Sequence, residues 1–347
     1  MEGTWRWPEA GWWFAQEMGQ IPAQEWSDPL RLGTAPAVSV LMLTYNHGRF
    51  IEQAVASVLA QRCDTPFELL IGDDGSTDGT LAICQQLQSQ HPGTIRLIHS
   101  PTNVGIHQNF LRVLIRCRAP LVALLEGDDY WIDPGKLHQQ QALIAANPGY
   151  AMVATATQNR INRLGVDGCL KLTDLLRRYP IHTSSLLFRK ELAIPFPRFP
   201  TAALDSLLIG HLAQRGDCGY LNREMSYYRR HSDGIWTGAT RQQRLQDTRA
   251  CIAAMDSYFQ GRYREELIDR EFWCYRLDWQ LTAEDPWGQW QASVLLLWQE
   301  GLAMLQRSKR FTLGLLLLTT WQGLLLIKAT AAQALPAGTR RLLGAAG

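Results

Sequence analysis

Between Val38 and Ala146, short apolar runs alternate with stretches of helical periodicity, and each run opens into a polar cluster. Val38-Ser-Val-Leu-Met-Leu43 passes into Thr44-Tyr-Asn-His-Gly48. Phe67-Glu-Leu-Leu-Ile71 passes into Gly72-Asp-Asp-Gly-Ser-Thr-Asp-Gly79. Ile95-Arg-Leu-Ile-His99 leads to Asn103-Val-Gly105, and Leu121-Val-Ala-Leu-Leu125 ends in Glu126-Gly-Asp-Asp129. Helical spacing, as in Ile51, Ala54, Val55, Val58 and Leu59, predicts helices over 50–61, 80–90, 107–117 and 134–146. Strands alternating with helices predict a parallel sheet covered on both faces. In such sheets ligands bind beyond the carboxyl ends of the strands, where all four clusters fall. Four unrelated solvated turns would have no reason to converge there, so the edge reads as a site.

The residue types indicate what it binds. Three carboxylates within Glu126–Asp129 repel one another unless a cation sits among them, and oxygen ligands suit Mg2+ or Mn2+. A solvated acidic turn is the bland alternative. Gly127 lets backbone approach a ligand without a Cβ in the way. Asp73 and Asp74 are acceptors fit for base N–H groups or ribose hydroxyls, Tyr45 can stack on a base, and Asp128 can hold a metal against a diphosphate. Neither a Walker lysine loop nor Gly-x-Gly-x-x-Gly is present, which disfavours ATPases and dinucleotide oxidoreductases.

Composition sets outer limits. The 347 residues, 46% hydrophobic and 19% charged, suffice for one large domain or two, and a net charge of +2 argues against a nucleic-acid partner. Seven scattered Cys without a Cys-x-x-Cys pair indicate neither zinc nor a secreted disulfide framework, and point to reduced thiols in the cytoplasm. Residues 1–36 are rich in Trp, carry Glu2, Arg6, Glu9 and Glu17, and lack the apolar core of a signal peptide. Their aromatics are expected to pack on the protein's own domain, with a membrane-surface role as the alternative.

Residues 38–131 resemble the N-terminal half of an inverting family 2 glycosyltransferase, and the likeness runs more weakly to about residue 238. It rests on Val38–Asn46, Ile71-Gly-Asp-Asp-Gly-Ser-Thr-Asp-Gly-Thr80, Asn103-Val-Gly105 and Glu126-Gly-Asp-Asp129. The resemblance implies a GT-A fold, an α/β Rossmann-like mixed sheet flanked by helices. It divides the chain into a Trp-rich extension (1–36), a catalytic domain (37–240, donor half 37–131 and acceptor half 150–238) and a helical C-terminal region (241–347). By similarity Thr44, Tyr45, Asn46, Asp73, Asp74, Asn103, Gly105 and Glu126 would face the nucleotide, and Asp128 with His231 would hold Mn2+ or Mg2+. Asp129, Trp131 and His182 would lie on the acceptor side, with a structural hydrogen bond as the other reading of His182. Glu126 stands where an Asp is usual, and His107 and Gln108 replace the commonest residues after Asn-x-Gly.

In the second half, Tyr150–Thr157 reads as a strand, 172–178 as a short helix, His182–Arg189 as strand or turn, and Gly219–Tyr228 as a strand. The resemblance makes Asp205 the general base at the start of a helix, 206–214. Helix capping is its alternative role, Leu204 replaces the usual preceding acid, and Asp217 in the turn 215–219 is the fallback. Arg229-Arg-His231 resembles the family's Tyr-Arg-x-His segment, which makes Arg229 and His231 leaving-group stabilisers; a solvated basic turn is the alternative. Helices are expected over 241–259, 263–282 and 290–305. The apolar stretch 311–327 falls short of the ~20 residues a span needs, and suits a helix lying in the membrane surface with Trp321 as anchor. A packed soluble helix and a true span are its alternatives.

The implied activity is transfer of a sugar, with inversion, from a nucleotide-diphospho-sugar, UDP-sugar favoured, to a hydroxyl of a glycan or lipid-linked acceptor. The setting would be cell-surface polysaccharide or lipopolysaccharide synthesis on the cytoplasmic face of the plasma membrane. A polyprenyl-phosphate sugar transferase and a catalytically silent sugar-nucleotide-binding scaffold are the competing readings.

Overall fold

A computed structural model describes residues 11–33, 35–159, 164–178, 181–198 and 203–281. One compact unit reaches Arg270 and a second begins at Glu271.

Within the first unit the elements follow in the order β1 (Trp12–Trp13), α1 (Ala15–Gln20), β2 (Gln24–Trp26), β3 (Val38–Thr44), α2 (Ile51–Leu59), β4 (Phe67–Asp73), α3 (Thr80–Gln90) and β5 (Ile95–His99). There follow α4 (Ile106–Leu114), β6 (Leu121–Glu126), β7 (Tyr130–Trp131), α5 (Lys136–Ala146), β8 (Tyr150–Gln158), β9 (Gly168–Leu170) and α6 (Leu172–Arg178). A 3-10 turn (Thr183–Ser185), β10 (Leu187–Arg189), a second 3-10 turn (Lys190–Ala193), β11 (Phe196–Pro197), α7 (Leu204–Ala213), β12 (Asp217–Tyr227) and α8 (Arg241–Phe259) complete it, and α9 (Arg264–Leu281) runs on into the second unit.

Among the described residues the main sheet has the order β2-β5-β4-β3-β6-β10-β8-β12-β7, with β9 also paired to β12. β3 lies parallel to β4 and β6, and β4 parallel to β5. β10 is antiparallel to both β6 and β8, so β8 and its parallel neighbour β12 point the same way as β6. The sheet is therefore mixed, and six strands still deliver their carboxyl ends to one edge. Alternation explains how each strand serves two cores. Val38, Val40 and Met42 of β3 join one apolar cluster with Val55 and Val58 of α2 and Leu137 of α5. Leu41 joins the other, with Phe110 and Leu111 of α4 and Leu208 and Leu212 of α7. Burial on both faces is why the strands read as continuous apolar runs. A third cluster packs Cys251, Ile252, Met255 and Phe259 of α8 against Leu176 and Leu207.

The Trp-rich stretch is built into this unit, as far as it is described. Trp12 and Trp13 pair with Pro197 and Phe196, and β2 adds an antiparallel strand to β5 through Trp26 and Leu97. Trp12 lies 5.7 Å from the His211 ring, and the Arg198 guanidinium sits 4.0 Å over Trp13. No described helix is long and apolar enough to cross a membrane. The helices expected at 290–305 and 311–327 lie outside the described residues.

Candidate active site

The polar clusters meet where the topology places them. The turn after β3 interlocks with the turn after β4: Asn46 takes a left-handed backbone conformation (φ 57°), Thr77 N–H donates to Asn46 Oδ1 at 2.8 Å, and Gly48 N–H donates to Asp78 Oδ2 at 2.9 Å. Asn tolerates this backbone because its short amide can bond locally. Gly75 (φ 74°) brings the loop against Thr102 and Asn103, where a Cβ would come within 2.8 Å of backbone. Tyr45, 44% exposed, stands free beside this knot.

Asp73 is fully buried at the end of β4. Its Oδ2 accepts from Ser76 N–H at 3.3 Å and lies 2.9 Å from His99 Nδ1, whereas its Oδ1 is buried without a hydrogen-bond partner. An unpaired buried acceptor costs free energy unless a ligand satisfies it. Asp74 is used differently. Its two oxygens accept from Val104 and Gly105 N–H, each at 2.9 Å, and so set the loop that carries Asn103. Behind both lies the fully buried Arg112, whose Nη2 donates to the Asp73 carbonyl at 2.7 Å and whose Nη1 donates to the Pro22 carbonyl at 3.1 Å. Asn109, one turn earlier on α4, accepts from Arg112 Nε at 3.0 Å and donates to the Gly72 carbonyl at 2.9 Å.

The acidic turn after β6 faces the segment after β12, because β7 pairs antiparallel with Ser226 and Tyr227. Asp128 Oδ2 lies 3.0 Å from His231 Nε2 and 3.8 Å from His47 Nε2. The Nδ1 atoms of both imidazoles and Thr44 Oγ1 are buried without partners. Gly127 is required here: a Cβ would fall 2.8 Å from Thr44 Oγ1 and 2.9 Å from His47 Nδ1. Burial holds His47 below its ordinary pKa, against the opposing pull of Asp128. Arg229 is clamped, with Nε donating to the Asp128 carbonyl and Nη2 to Gln53 Oε1, both at 2.7 Å, and its plane 4.7 Å from the Phe50 ring centre.

Glu126 and Asp129 point toward the second half. Burial, then the carboxylates of Asp129, Asp128 and Asp205, pushes Glu126 well above the usual carboxylate range. Asp205, in the first turn of α7, is near enough to act on Glu126 through its charge, and Ser206 N–H donates to its Oδ1 at 2.7 Å. Asp129 is fully buried: Ser184 Oγ donates to Oδ2 at 2.5 Å and Arg229 N–H to Oδ1 at 2.9 Å. Burial and Asp128 push its carboxyl up to about 8. Trp131, expected on the acceptor side, is 4% exposed and donates from Nε1 to the Ser184 carbonyl at 2.8 Å. His182 is buried, with Nδ1 accepting from Ser184 N–H at 3.3 Å and its ring 4.6 Å from that of Tyr228. These three stand behind the site surface. Asp217 is far from it: it opens β12 opposite Tyr150, at the amino end of the parallel strands, and pairs with Lys171.

Sequence reasoning missed His99, Arg112, Asn109 and Ser184. His99 closes β5 at the edge where the clusters converge, and Ser184 lies in the stretch singled out for its His. Arg112 carries no such signal, since a lone Arg on a helix ordinarily faces water.

Among known proteins, residues 39–188 match the family described as Glycosyl transferase family 2. An uncharacterized protein of Mycobacterium tuberculosis, Rv1520, is 31% identical over 250 residues, covering 67% of this chain and 71% of the relative. Among solved structures, Staphylococcus aureus TarS in complex with UDP-GlcNAc shares the fold at TM-score 0.54 and 18% identity, over 74% of this chain and 79% of that one. The mannosyltransferase PcManGT of Pyrobaculum calidifontis, in complex with GDP-Man and Mn2+, matches at TM-score 0.54 and 18% identity over 91% of both chains.

Proposed function

The chain belongs to glycosyltransferase family 2, and we propose from that premise that it moves a sugar, with inversion, from a uridine or thymidine diphospho-sugar to a hydroxyl of a cell-surface glycan or its lipid-linked precursor. The observation that carries the donor reading is the state of Asp73. One oxygen is engaged by His99 and the Ser76 N–H, and the other is a single buried acceptor without a partner. A single acceptor suits the one imide N–H of uracil or thymine. Guanine offers adjacent N–H groups that call for two carboxylate oxygens, so GDP is disfavoured. Tyr45 is exposed for stacking on the base, and Asp74 acts by shaping the loop around Asn103 and Gly105.

For the diphosphate, Asp128 with His231 and His47 combines carboxylate and imidazole, a donor set that fits Mn2+. Among the described residues the ligand atoms that gather within 4.8 Å of one another are those of Glu126, Asp129 and His182, but Asp129 and His182 are engaged by Ser184 and Arg229. A bound divalent ion would supply charge neutralisation for the departing diphosphate. Arg229, locked on Phe50, retains donors on Nη1 for a phosphate oxygen. Asp205 takes the proton of the attacking hydroxyl as general base, and a single in-line displacement inverts the anomeric carbon. The free thiols fit a reducing, cytoplasmic setting.

Thermal stability against UDP-, dTDP- and GDP-sugars, with and without Mn2+, tests the reading, because a ligand that binds only the folded state raises the melting temperature. A shift with UDP- or dTDP-sugar that requires Mn2+ is expected. Equal shifts with GDP-sugars would refute the base assignment, and no shift with any donor would remove the site.

A further inference from the structure

Asp73 and His99 end the neighbouring parallel strands β4 and β5 in register, so their side chains share one face of the sheet at its carboxyl edge. There Asp73 Oδ2 lies 2.9 Å from His99 Nδ1 and accepts from Ser76 N–H at 3.3 Å. Carboxylate oxygens only accept, so Nδ1 of His99 carries the proton of this bond and donates it. The Ser76 contact is the longer of the two, which leaves the imidazole as the main hold on the carboxylate plane. The imidazole is itself held. β2 lies antiparallel to β5 with Gln24 opposite His99, and the Trp26 ring packs 5.5 Å from the imidazole at 48°. Arg112, the buried cation behind these strand ends, donates to the Asp73 carbonyl. With Oδ2 fixed from the His99 side, the direction of Oδ1, the buried acceptor without a partner, is fixed as well.

Uracil and cytosine have the same size, the same stacking face and the same O2 carbonyl. At N3 they are opposites: uracil carries an N–H where cytosine carries a lone pair. An acceptor fixed at that spot favours the first and repels the second, whereas an acceptor free to turn aside does neither. We propose that His99 is a positioning residue of the donor site: by holding Oδ2 it aims Asp73 Oδ1 at N3 of the base, and so makes the site select uracil over cytosine. The proposal rests on the uridine or thymidine reading of the donor and adds the device that excludes cytidine diphospho-sugars. His99 acts through Asp73 and needs no contact of its own with the nucleotide.

Calorimetric titration of the full chain with UDP and with CDP, each in the presence of Mn2+, tests it. The parent is expected to bind UDP about tenfold more tightly than CDP, or better. His99→Phe keeps a ring against Trp26 and removes the donor. Its UDP affinity should fall about tenfold while its CDP affinity holds or rises, which brings the two nucleotides to within about threefold of each other. His99→Asn, whose amide offers an N–H where Nδ1 stood, should restore the preference. A general loosening of the site would weaken both nucleotides alike, so a parental UDP-to-CDP ratio in His99→Phe overturns the proposal. So does a His99→Asn variant that discriminates no better than His99→Phe. Should His99→Phe not fold, the same ratio is read in His99→Leu. A parent that binds CDP as tightly as UDP also overturns the proposal while leaving a nucleotide site in place. A parent with no affinity for either nucleotide would instead remove the donor reading, and the selection built on it.

Discussion

At the scale of single residues, the proposed donor site depends on one acceptor left open, Asp73 Oδ1, and on acceptors that are filled, those of Asp74. Asp73→Asn separates the two. The amide oxygen would turn to His99 and the Ser76 N–H, leaving its NH2 facing the base N–H. Two opposed donors cost about 1–3 kcal/mol, so UDP affinity should fall roughly 10- to 100-fold by calorimetry while the fold persists. Unchanged affinity would mean that the base lies elsewhere. Asp205→Asn should keep UDP binding and lower transfer about 100- to 10,000-fold, the usual loss with a general base. Retained turnover would move the base to another group. Asp73 and Asp74 stood out in the sequence as two carboxylates at a strand end, but that Asp74 serves the loop around Asn103 through Val104 and Gly105 N–H was not readable. Glu126 and Asp128 stood out for the same reason, although the turn of Glu126 toward Asp129 and His182 was not readable. Nor was their support: Ser184 and Arg112 act through burial, which a sequence without periodic context does not report.

At the scale of elements, helix α5 begins with an anomaly. Lys136 is fully buried, 4.2 Å from the centre of the Trp131 ring, and donates to Gln140 Oε1 at 2.7 Å. Burial lowers its pKa to about 7, and a cation is also unwelcome at a helix N-terminus. Between about pH 7 and the unfolded value near 10.4, the unfolded chain holds a proton that the folded chain lacks. Stability from this group therefore rises with pH through that window, and below pH 7 the folded state bears the full cost of burying the charge. Lys136→Met should stabilise the protein at pH 6, by up to about 4 kcal/mol, and the gain should shrink by pH 9.5. Urea midpoints at the two pH values check it, and an equal gain at both would refute the assignment. The regular elements were readable to within a few residues; α3 and β5 match their expected spans because apolar periodicity and glycine punctuation agree there. β1, β2 and β9 were not readable. Strands of two or three residues hold no period, and their partners lie far away in sequence.

At the scale of the whole molecule, the described part of the N-terminal stretch and the proposed donor site are one structure. β2 covers the edge of β5, Trp26 lies 5.5 Å from the His99 ring, and Pro22 receives Arg112. Deleting residues 1–33 would uncover a sheet edge and free a buried guanidinium. Unpaired edges recruit other chains, so the truncated protein should form soluble oligomers or aggregate on gel filtration, and its monomeric fraction should bind UDP at least tenfold more weakly. A monomer with parental UDP affinity would show the extension to be dispensable. The position of β10 has a further consequence. Although it follows the donor half in sequence, it lies between β6 and β8, hydrogen-bonded to both. Among the described residues, the strands of 37–131 and those of 150–238 therefore form two adjoining blocks of one sheet that meet at β6 and β10, and only β7 crosses over, to pair with β12 at the far end. A chimera spliced at residue 131 would have to rebuild two seams at once, β6 against the incoming β10 and β7 against the incoming β12, so exchange of specificity between relatives is easier by loop graft than by half-domain swap.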